Sequence, residues 1–123
     1  MIENALHCKL KIIYICLEEP GSLVNHSCNP NSGIKFDKNL IAIKNIKKDE
    51  QVFYDYSTAM DEDSFTMQCD CRKPDCRKTV KDFKYLPADV RKKYLKLGIV
   101  QKFIAKIIQN TLTILAAATN QKL

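Results

Sequence analysis

Three cysteines lie within eight residues of one another in this 123-residue chain, and they restrict how that segment can fold. They are Cys69, Cys71 and Cys76, in a C-x-C-x4-C arrangement in which Pro74 helps the chain to turn. The segment is too rich in cysteine and charge to form an apolar core, so we expect it to wrap a metal ion. A closed structural zinc site is tetrahedral. A fourth ligand must therefore come from elsewhere in the chain.

The fourth ligand has several candidates, and metal binding itself has an alternative. The candidates are Cys28, Cys8, Cys16, His7 and His26. Disulfides or reduced buried thiols are the ordinary alternatives for any single cysteine. However, C-x-C spacing is awkward for a mutual disulfide, and the basic residues that flank this segment stabilise thiolates electrostatically. We therefore favour zinc over disulfides.

The size and charge of the chain favour one small globular domain with a basic surface. Apolar residues make up 46% and charged residues 28% of the sequence, as in ordinary globular domains. A domain this short often needs reinforcement, for which a metal would serve. The net charge is +6, and the stretch from Arg72 to Lys106 holds twelve basic and three acidic residues. Such charge favours acidic surfaces or nucleic acid as neighbours, although a solvated helix face explains basic residues more often.

The sequence also carries expectations about location. No apolar run reaches the roughly 18–20 residues that a membrane-spanning helix needs. Glu3 and the Glu18-Glu19-Pro20 segment are unlike a secretory signal peptide. We therefore predict a soluble, intracellular protein with no membrane partner, located in the cytoplasm, or in the nucleus on chromatin if the source is eukaryotic or the protein acts on a host.

The first half of the chain contains short β-like segments between turn-forming residues. An isoleucine-rich run at Leu10–Leu17 has the length of a buried strand. The segment Asn25–Gly33 is predicted to be a loop with a brief helical turn at most. Three further segments predict an antiparallel meander: Ile34–Phe36, Leu40–Lys44 and Gln51–Tyr56.

The C-terminal part is predicted to be helical. Pro87 fits the first turn of a helix that continues to Leu97, with Gly98 as its C-terminal cap. A second helix follows, because apolar residues recur at intervals of three and four. They are Val100, Phe103, Ile104, Ile107, Ile108, Leu112 and Leu115. This spacing produces one apolar face, which needs a partner surface.

Three motifs together resemble the SET-domain protein-lysine methyltransferases. The segment Asn25–Asn31 reads NHSCNPN and resembles the NHSCxPN signature of that family at every defined position. The strand Glu50–Tyr56 resembles the second signature, an acidic turn followed by a strand that ends in Tyr-Asp-Tyr. The C-x-C-x4-C segment resembles the post-SET zinc segment, in which the fourth ligand is the cysteine of the NHSC loop. That nominates Cys28.

The resemblance implies a fold and a division of the chain. The fold would be α+β, with a mostly β SET-like core, a zinc-bound post-SET loop and two C-terminal helices. In the family, the segment matching Asn25–Cys28 threads under a loop formed by the later strand and makes a pseudoknot. The division would be residues 1–21 unassigned, 22–66 a partial SET domain, 67–82 the post-SET zinc segment and 83–123 a C-terminal helical extension.

The resemblance also implies S-adenosylmethionine (SAM)-dependent methylation of a lysine in a protein, such as a histone tail. Asn25, His26 and Tyr56 would contact the cofactor. Tyr56 would be the catalytic tyrosine, its hydroxyl near the sulfonium and the target amine. Tyr54, the second catalytic position, would limit the methyl count and so implies mono- or dimethylation. The zinc ligands would be Cys28, Cys69, Cys71 and Cys76.

The chain departs from the family pattern at its N-terminal side. SET domains usually open with a G-x-G segment, whereas the three glycines here, Gly21, Gly33 and Gly98, are never two apart. Residues 22–24 read Ser-Leu-Val where the family usually has an arginine and an aromatic residue, and Asp49 replaces a common glycine. The alternative function is therefore a non-catalytic, zinc-stabilised interaction module that binds protein or nucleic acid through its basic C-terminal half.

Overall fold

A computed structural model describes residues 23–63 and 65–121, with side chains as far as residue 117. Within these ranges the chain is a small α+β arrangement of short strands and two helices. The strands are β1 (Asn25–His26), β2 (Ser32–Lys35), β3 (Asn39–Ala42), β4 (Phe53–Tyr54), β5 (Met67–Gln68) and β6 (Thr79–Val80). The helices are α1 (Ala88–Leu97) and α2 (Lys102–Gln121), with short 3-10 turns at Tyr56–Ala59 and Phe83–Tyr85. The predicted strand Leu10–Leu17 lies outside the described residues.

Strands β2 and β3 form the expected antiparallel hairpin. Lys35 pairs with Asn39, and the intervening turn places Phe36 and Asp37 at φ of 56° and 64°. Two successive positive φ angles are the geometry of a type I′ turn, whose twist matches that of the strands it joins. An aspartate tolerates this conformation. The hairpin therefore overlaps the first two predicted strands, Ile34–Phe36 and Leu40–Lys44. The prediction of a loop over Asn25–Gly33 is wrong at both ends, because β1 forms at its start and β2 begins at Ser32.

The prediction that the third strand of the meander pairs with the second is wrong. Strand β4 pairs in parallel with β1, with Asn25 opposite Phe53 and His26 opposite Tyr54. The physical reason is the side-chain amide of Asn31. Its Oδ1 accepts the Phe53 backbone N–H at 2.9 Å, and its Nδ2 donates to the Gln51 carbonyl at 2.8 Å. The Phe53 N–H and the Gln51 carbonyl therefore have hydrogen-bond partners without pairing to β3.

Among the described residues, the buried apolar cluster lies in the C-terminal helical region. Its members are Phe83, Leu86, Tyr94, Ile99, Val100 and Ile104. Strands of two to four residues are too short to supply a large apolar face. Strand β2 approaches this cluster closely, because a Cβ on Gly33 would lie 2.6 Å from Cγ2 of Ile99.

Both predicted helices are present and close to their expected bounds. Helix α1 follows Pro87, which lies one position before the first turn, and it ends at Gly98 with φ 72°, the left-handed cap that glycine favours. Helix α2 begins where the Lys102 backbone N–H donates to Asp37 Oδ1 at 2.9 Å. Its apolar side chains at Leu112 and Leu115 are exposed. Among the described residues, neither helix combines the length and apolarity needed to cross a bilayer.

Candidate active site and metal centre

The parallel pairing of β1 with β4 brings the two signature segments into contact. Ser27 donates its backbone N–H to the Tyr54 carbonyl at 3.2 Å. The Tyr56 backbone N–H donates to His26 Nδ1 at 3.0 Å, and the Tyr56 hydroxyl donates to the Val24 carbonyl at 2.7 Å. Residues about 30 positions apart in the sequence therefore form one continuous hydrogen-bonded unit.

The two tyrosines lie side by side, with ring centroids 4.8 Å apart. Burial raises the pKa of Tyr54 to about 12 and also raises the pKa of Tyr56. Both phenols are therefore neutral near pH 7, and their chemistry is that of hydrogen bonding and packing. Because the Tyr56 proton is directed to Val24, the phenol oxygen keeps its lone pairs available to accept a hydrogen bond.

The imidazole of His26 is buried and uses both of its nitrogens within the protein. Since Nδ1 accepts the Tyr56 backbone N–H, the neutral ring carries its proton on Nε2, which lies 3.4 Å from Cys28 Sγ. Burial lowers the pKa of His26, although the nearby Asp55 carboxylate opposes the shift. His26 thus joins Cys28 to the backbone of Tyr56.

Four cysteine side chains converge at one point. The sulfur atoms of Cys28, Cys69, Cys71 and Cys76 all lie within 4.8 Å of one another, and none is in a disulfide. The Cys28 and Cys69 sulfurs are 3.7 Å apart. In a tetrahedral zinc site with 2.3 Å bonds, neighbouring sulfurs are about 3.8 Å apart. The donor set and its spacing therefore fit a zinc ion.

Backbone hydrogen bonds shape the loop that carries three of these cysteines. Strands β5 and β6 pair at its base, and the Cys69 N–H donates to the Lys78 carbonyl at 2.8 Å. The Cys76 N–H donates to the Lys73 carbonyl at 3.0 Å, closing a turn within the loop. Arg72 and Lys78 adopt positive φ angles of 60° and 65°. The loop is folded so that its sulfurs face one point.

The thiols of the cluster differ in acidity. Burial raises the pKa of Cys28 to about 12. Burial also opposes ionisation of Cys71, but backbone and side-chain hydrogen bonds outweigh it and lower the pKa of that thiol to about 7. A coordinated divalent cation deprotonates its thiol ligands outright. A metal would therefore supply the charge that makes a buried Cys28 thiolate stable.

A pocket of about 320 Å³ opens beside the cluster. The signature segments contribute Asn25, His26, Ser27, Phe53 and Tyr56 to its lining, and the cysteine loop contributes Met67, Gln68, Cys69, Asp70, Cys71 and Lys73. All three residues predicted to contact the cofactor therefore line one pocket. Tyr54 is not among the described residues that line the pocket, but the Tyr54 ring contacts the Tyr56 ring.

Sequence reasoning missed a buried ion pair beside the pocket. Asp55 lies between the two tyrosines, and its carboxylate accepts two hydrogen bonds from Arg77, at 2.9 and 2.8 Å. The Tyr94 hydroxyl donates to the same carboxylate at 2.9 Å. The available signals in the sequence were an acidic residue between two tyrosines and an arginine directly after Cys76.

Comparison with known proteins agrees with the resemblance of the motifs. Residues 4–57 match the family model described as the SET domain. This match extends upstream of residue 22, into the segment that the sequence reading left unassigned.

Three curated relatives align with about half of the chain. Histone-lysine N-methyltransferase 2D of Homo sapiens and of Mus musculus are each 35% identical over 66 residues, which is 48% of this chain and 1% of theirs. Histone-lysine N-methyltransferase trr of Drosophila melanogaster is 34% identical over 62 residues, 45% of this chain and 3% of its own. The chain thus spans a very small part of these relatives. No solved structure matches it significantly.

Proposed function

We propose that this chain, which carries part of a SET domain over residues 4–57, is a SAM-dependent protein-lysine N-methyltransferase. The observation that supports this most strongly is the pocket in which Asn25, His26 and Tyr56 meet beside the four-cysteine cluster. Because the relatives are named as histone-lysine methyltransferases, a histone is the first substrate to test. A nuclear, chromatin-associated location belongs to the same proposal.

The reaction requires a neutral lysine amine in a pocket that contains little water. A lysine amine has a reference pKa of about 10.4, and only its neutral form can attack a methyl group. Desolvation lowers that pKa. The amine nitrogen bonds to the methyl carbon while the carbon–sulfur bond breaks, and one proton leaves to solvent. SAM supplies the methyl group on a sulfonium, which makes it electrophilic.

Tyr56 is proposed to orient the attacking amine. Its oxygen, held by the hydrogen bond to the Val24 carbonyl, can accept an N–H from the amine and direct the nitrogen lone pair toward the methyl group. Alignment of this kind supplies much of the rate of a transfer between two bound molecules. Tyr54, whose ring contacts Tyr56, is proposed to restrict the space for added methyl groups, which favours mono- or dimethylation.

The cysteine cluster is proposed to hold a structural zinc ion that fixes the post-SET wall of the pocket. Cys69 and Cys71 both belong to that wall and to the cluster. We also propose that the Asn25–Cys28 segment lies beneath the chain that follows β4, as in the family pseudoknot. The parallel β1–β4 pairing and the Ser27 to Tyr54 hydrogen bond support this arrangement.

A non-catalytic binding module remains the second candidate function. The exposed lysines of α1 favour it, and these are Lys92, Lys93 and Lys96. Binding through these side chains to nucleic acid would weaken steeply with salt. The module would bind its partner equally well when Tyr56 is replaced by phenylalanine, whereas an enzyme would lose methyl transfer.

The test is transfer of a radioactive methyl group from SAM to core histones by zinc-loaded protein. We expect label on lysine, and a loss of about 100-fold in rate for Tyr56→Phe, since correct placement of one group is worth about that factor. Tyr85→Phe is the matched control, because Tyr85 is 58% exposed and lies outside the pocket lining. Zinc-loaded protein that labels no histone lysine would contradict the proposed activity.

A further inference from the structure

The carboxylate of Asp55 is completely buried and accepts hydrogen bonds from three other residues. Its side chain is 0% exposed. Arg77 donates to it through both terminal nitrogens, and the Tyr94 hydroxyl donates at 2.9 Å. The Ser57 backbone N–H donates at 3.0 Å, so Asp55 also caps the short 3-10 helix that begins at Tyr56. The position of this carboxylate therefore fixes the backbone on which Tyr56 is carried.

Arg77 connects the same carboxylate to the cysteine cluster. It directly follows Cys76, and its backbone N–H lies 3.4 Å from Cys28 Sγ. Its side chain is 16% exposed and reaches Asp55 with a two-pronged contact, a geometry that only a guanidinium provides. The backbone of Arg77 therefore belongs to the cluster, while its side chain belongs to the strand that carries the tyrosines.

Breaking this ion pair would be costly for the site. A buried carboxylate that loses its partner is strongly destabilised, so Asp55 must follow Arg77 wherever the cysteine loop places it. The loop is held in turn by whatever binds the four sulfurs. Neither Asp55 nor Arg77 is among the residues that line the pocket, so both act on it through others.

We propose that Asp55 and Arg77 are positioning residues that tie the placement of Tyr56 to occupancy of the cysteine cluster. This inference rests on the proposed function, because it assumes a metal in the cluster and Tyr56 in the reaction. It adds a mechanical link between the two: the metal orders the loop, Arg77 carries that order to Asp55, and Asp55 sets the start of the helical turn at Tyr56.

Tyr94 extends the link to helix α1. Its ring is buried in the apolar cluster while its hydroxyl reaches Asp55, so α1 and the cysteine loop anchor the same carboxylate from two elements. Tyr94→Phe removes one donor and leaves the Arg77 contact in place. Tyr94→Phe should therefore disturb the placement of Tyr56 in the same way as a substitution of Arg77, but to a smaller extent.

The test compares Arg77→Lys with Arg72→Lys in metal-loaded protein. Lysine keeps the charge but cannot make the two-pronged contact. Arg72 is the matched control, because it lies in the same loop with an 86% exposed side chain. The direct readout is fluorine NMR of protein labelled with fluorotyrosine, in which loss of one signal in Tyr56→Phe assigns the Tyr56 resonance.

The Arg77→Lys protein should retain one metal ion, because the four sulfur ligands and the Arg77 backbone N–H that contacts Cys28 Sγ are unchanged. Its Tyr56 resonance should shift or broaden, and kcat should fall by about 10–100-fold with KM for SAM changed less than the rate. Arg72→Lys should match the parent in metal binding, in the Tyr56 resonance and in kcat. Should Arg77→Lys not fold, Tyr94→Phe provides the same comparison of metal affinity with the Tyr56 signal.

Two results would overturn the positioning role. One is an Arg77→Lys protein whose Tyr56 resonance and kcat equal those of the parent. The other is loss of the metal itself, which would make Arg77 a support of the cluster alone. Failure of the proposed function is distinct, because it appears as parent protein that transfers no methyl group, and the Tyr56 resonance still decides the link in that case.

Discussion

Tyr54, Asp55 and Tyr56 are consecutive in the chain and have three different surroundings. Tyr54 is buried, and its ring contacts that of Tyr56. The Asp55 carboxylate is enclosed by Arg77 and Tyr94. Tyr56 lines the pocket. Strand β4 ends at Tyr54, and the backbone stays extended at Asp55, with φ of −86° and ψ of 113°, before the 3-10 turn begins at Tyr56. Extended backbone directs successive side chains to opposite sides, so Asp55 is directed away from the tyrosines, where a charged group requires a partner.

The raised pKa of Tyr54 predicts a loss of stability at alkaline pH. The folded-state pKa of about 12 lies above the ordinary tyrosine value of 10.0, so the unfolded chain releases this proton first. The contribution of Tyr54 to the free energy of unfolding is therefore fully present below pH 10, and it is lost as the pH rises from 10 to 12. By linkage, the contribution of this residue is roughly 1–3 kcal/mol. Urea unfolding across this pH range should show a shallower loss for Tyr54→Phe than for the parent. Parallel curves for the two proteins would refute the assignment.

Gly33 should tolerate no larger residue. A Cβ at this position would lie 2.6–2.8 Å from three carbon atoms of the Ile99 side chain, and Ile99 is itself 1% exposed. Gly33→Ala should lower the free energy of unfolding by about 1–3 kcal/mol, as overpacking does. Chemical denaturation measures it. An alanine variant as stable as the parent would mean that β2 does not approach the apolar cluster this closely.

Among the elements, those with local determinants were predictable from the sequence, whereas the strand at β4 was predicted and its pairing was not. Gly98 and the apolar spacing identified both helices, and the turn around Asp37 fits a hairpin. The partner of β4 is set by a side chain 22 positions earlier, since Asn31 takes the Phe53 N–H that a meander would give to β3. A pattern of alternating residues carries no information about such a distant bond.

The motifs of the site were recognisable, but the roles of individual atoms were not. NHSCNPN and the Tyr-Asp-Tyr strand led to residues that do line one pocket. The inward orientation of His26 depends on the Tyr56 N–H and on Cys28, which only the fold brings together. The Asp55–Arg77 pair likewise joins residues 22 positions apart.

Asp37 should stabilise the start of helix α2 across the fold. Its carboxylate accepts the Lys102 N–H, one of the helix-terminal donors that lack a partner within the helix. Loss of such a cap costs about 1 kcal/mol, or about fivefold in exchange rate. Asp37→Gly should accelerate hydrogen exchange of the Lys102 amide by that factor, whereas Asp37→Asn keeps an acceptor and should not. Equal exchange in both variants would exclude this cap.

The cysteine cluster and the apolar cluster lie in different parts of the described chain. The apolar cluster lies in the C-terminal helical region, whereas the pocket region is made of two- to four-residue strands joined by polar contacts. Such strands have little stability of their own. A metal bound by four cysteines would supply what this region lacks.

Removal of the metal should therefore destabilise the protein. Zinc binding contributes folding free energy directly, and 1 kcal/mol shifts the Tm of a domain of this size by about 4–8 °C. Chelation should lower Tm by roughly 10 °C or more, and added zinc should restore it. Cys71→Ser, which removes one ligand, should resemble the chelated parent. A purified protein that contains no metal and keeps its Tm in chelator would contradict the assignment.

A calorimetric titration of zinc-loaded protein with SAM shows whether this chain binds the cofactor. If the Asn25–Cys28 segment, the Tyr56 strand and the cysteine loop together form one cofactor pocket, one SAM should bind per chain with saturable heat. Binding should be lost on chelation and strongly weakened by Asn25→Ala. Folded, zinc-loaded protein that gives no saturable heat would contradict the proposed cofactor pocket.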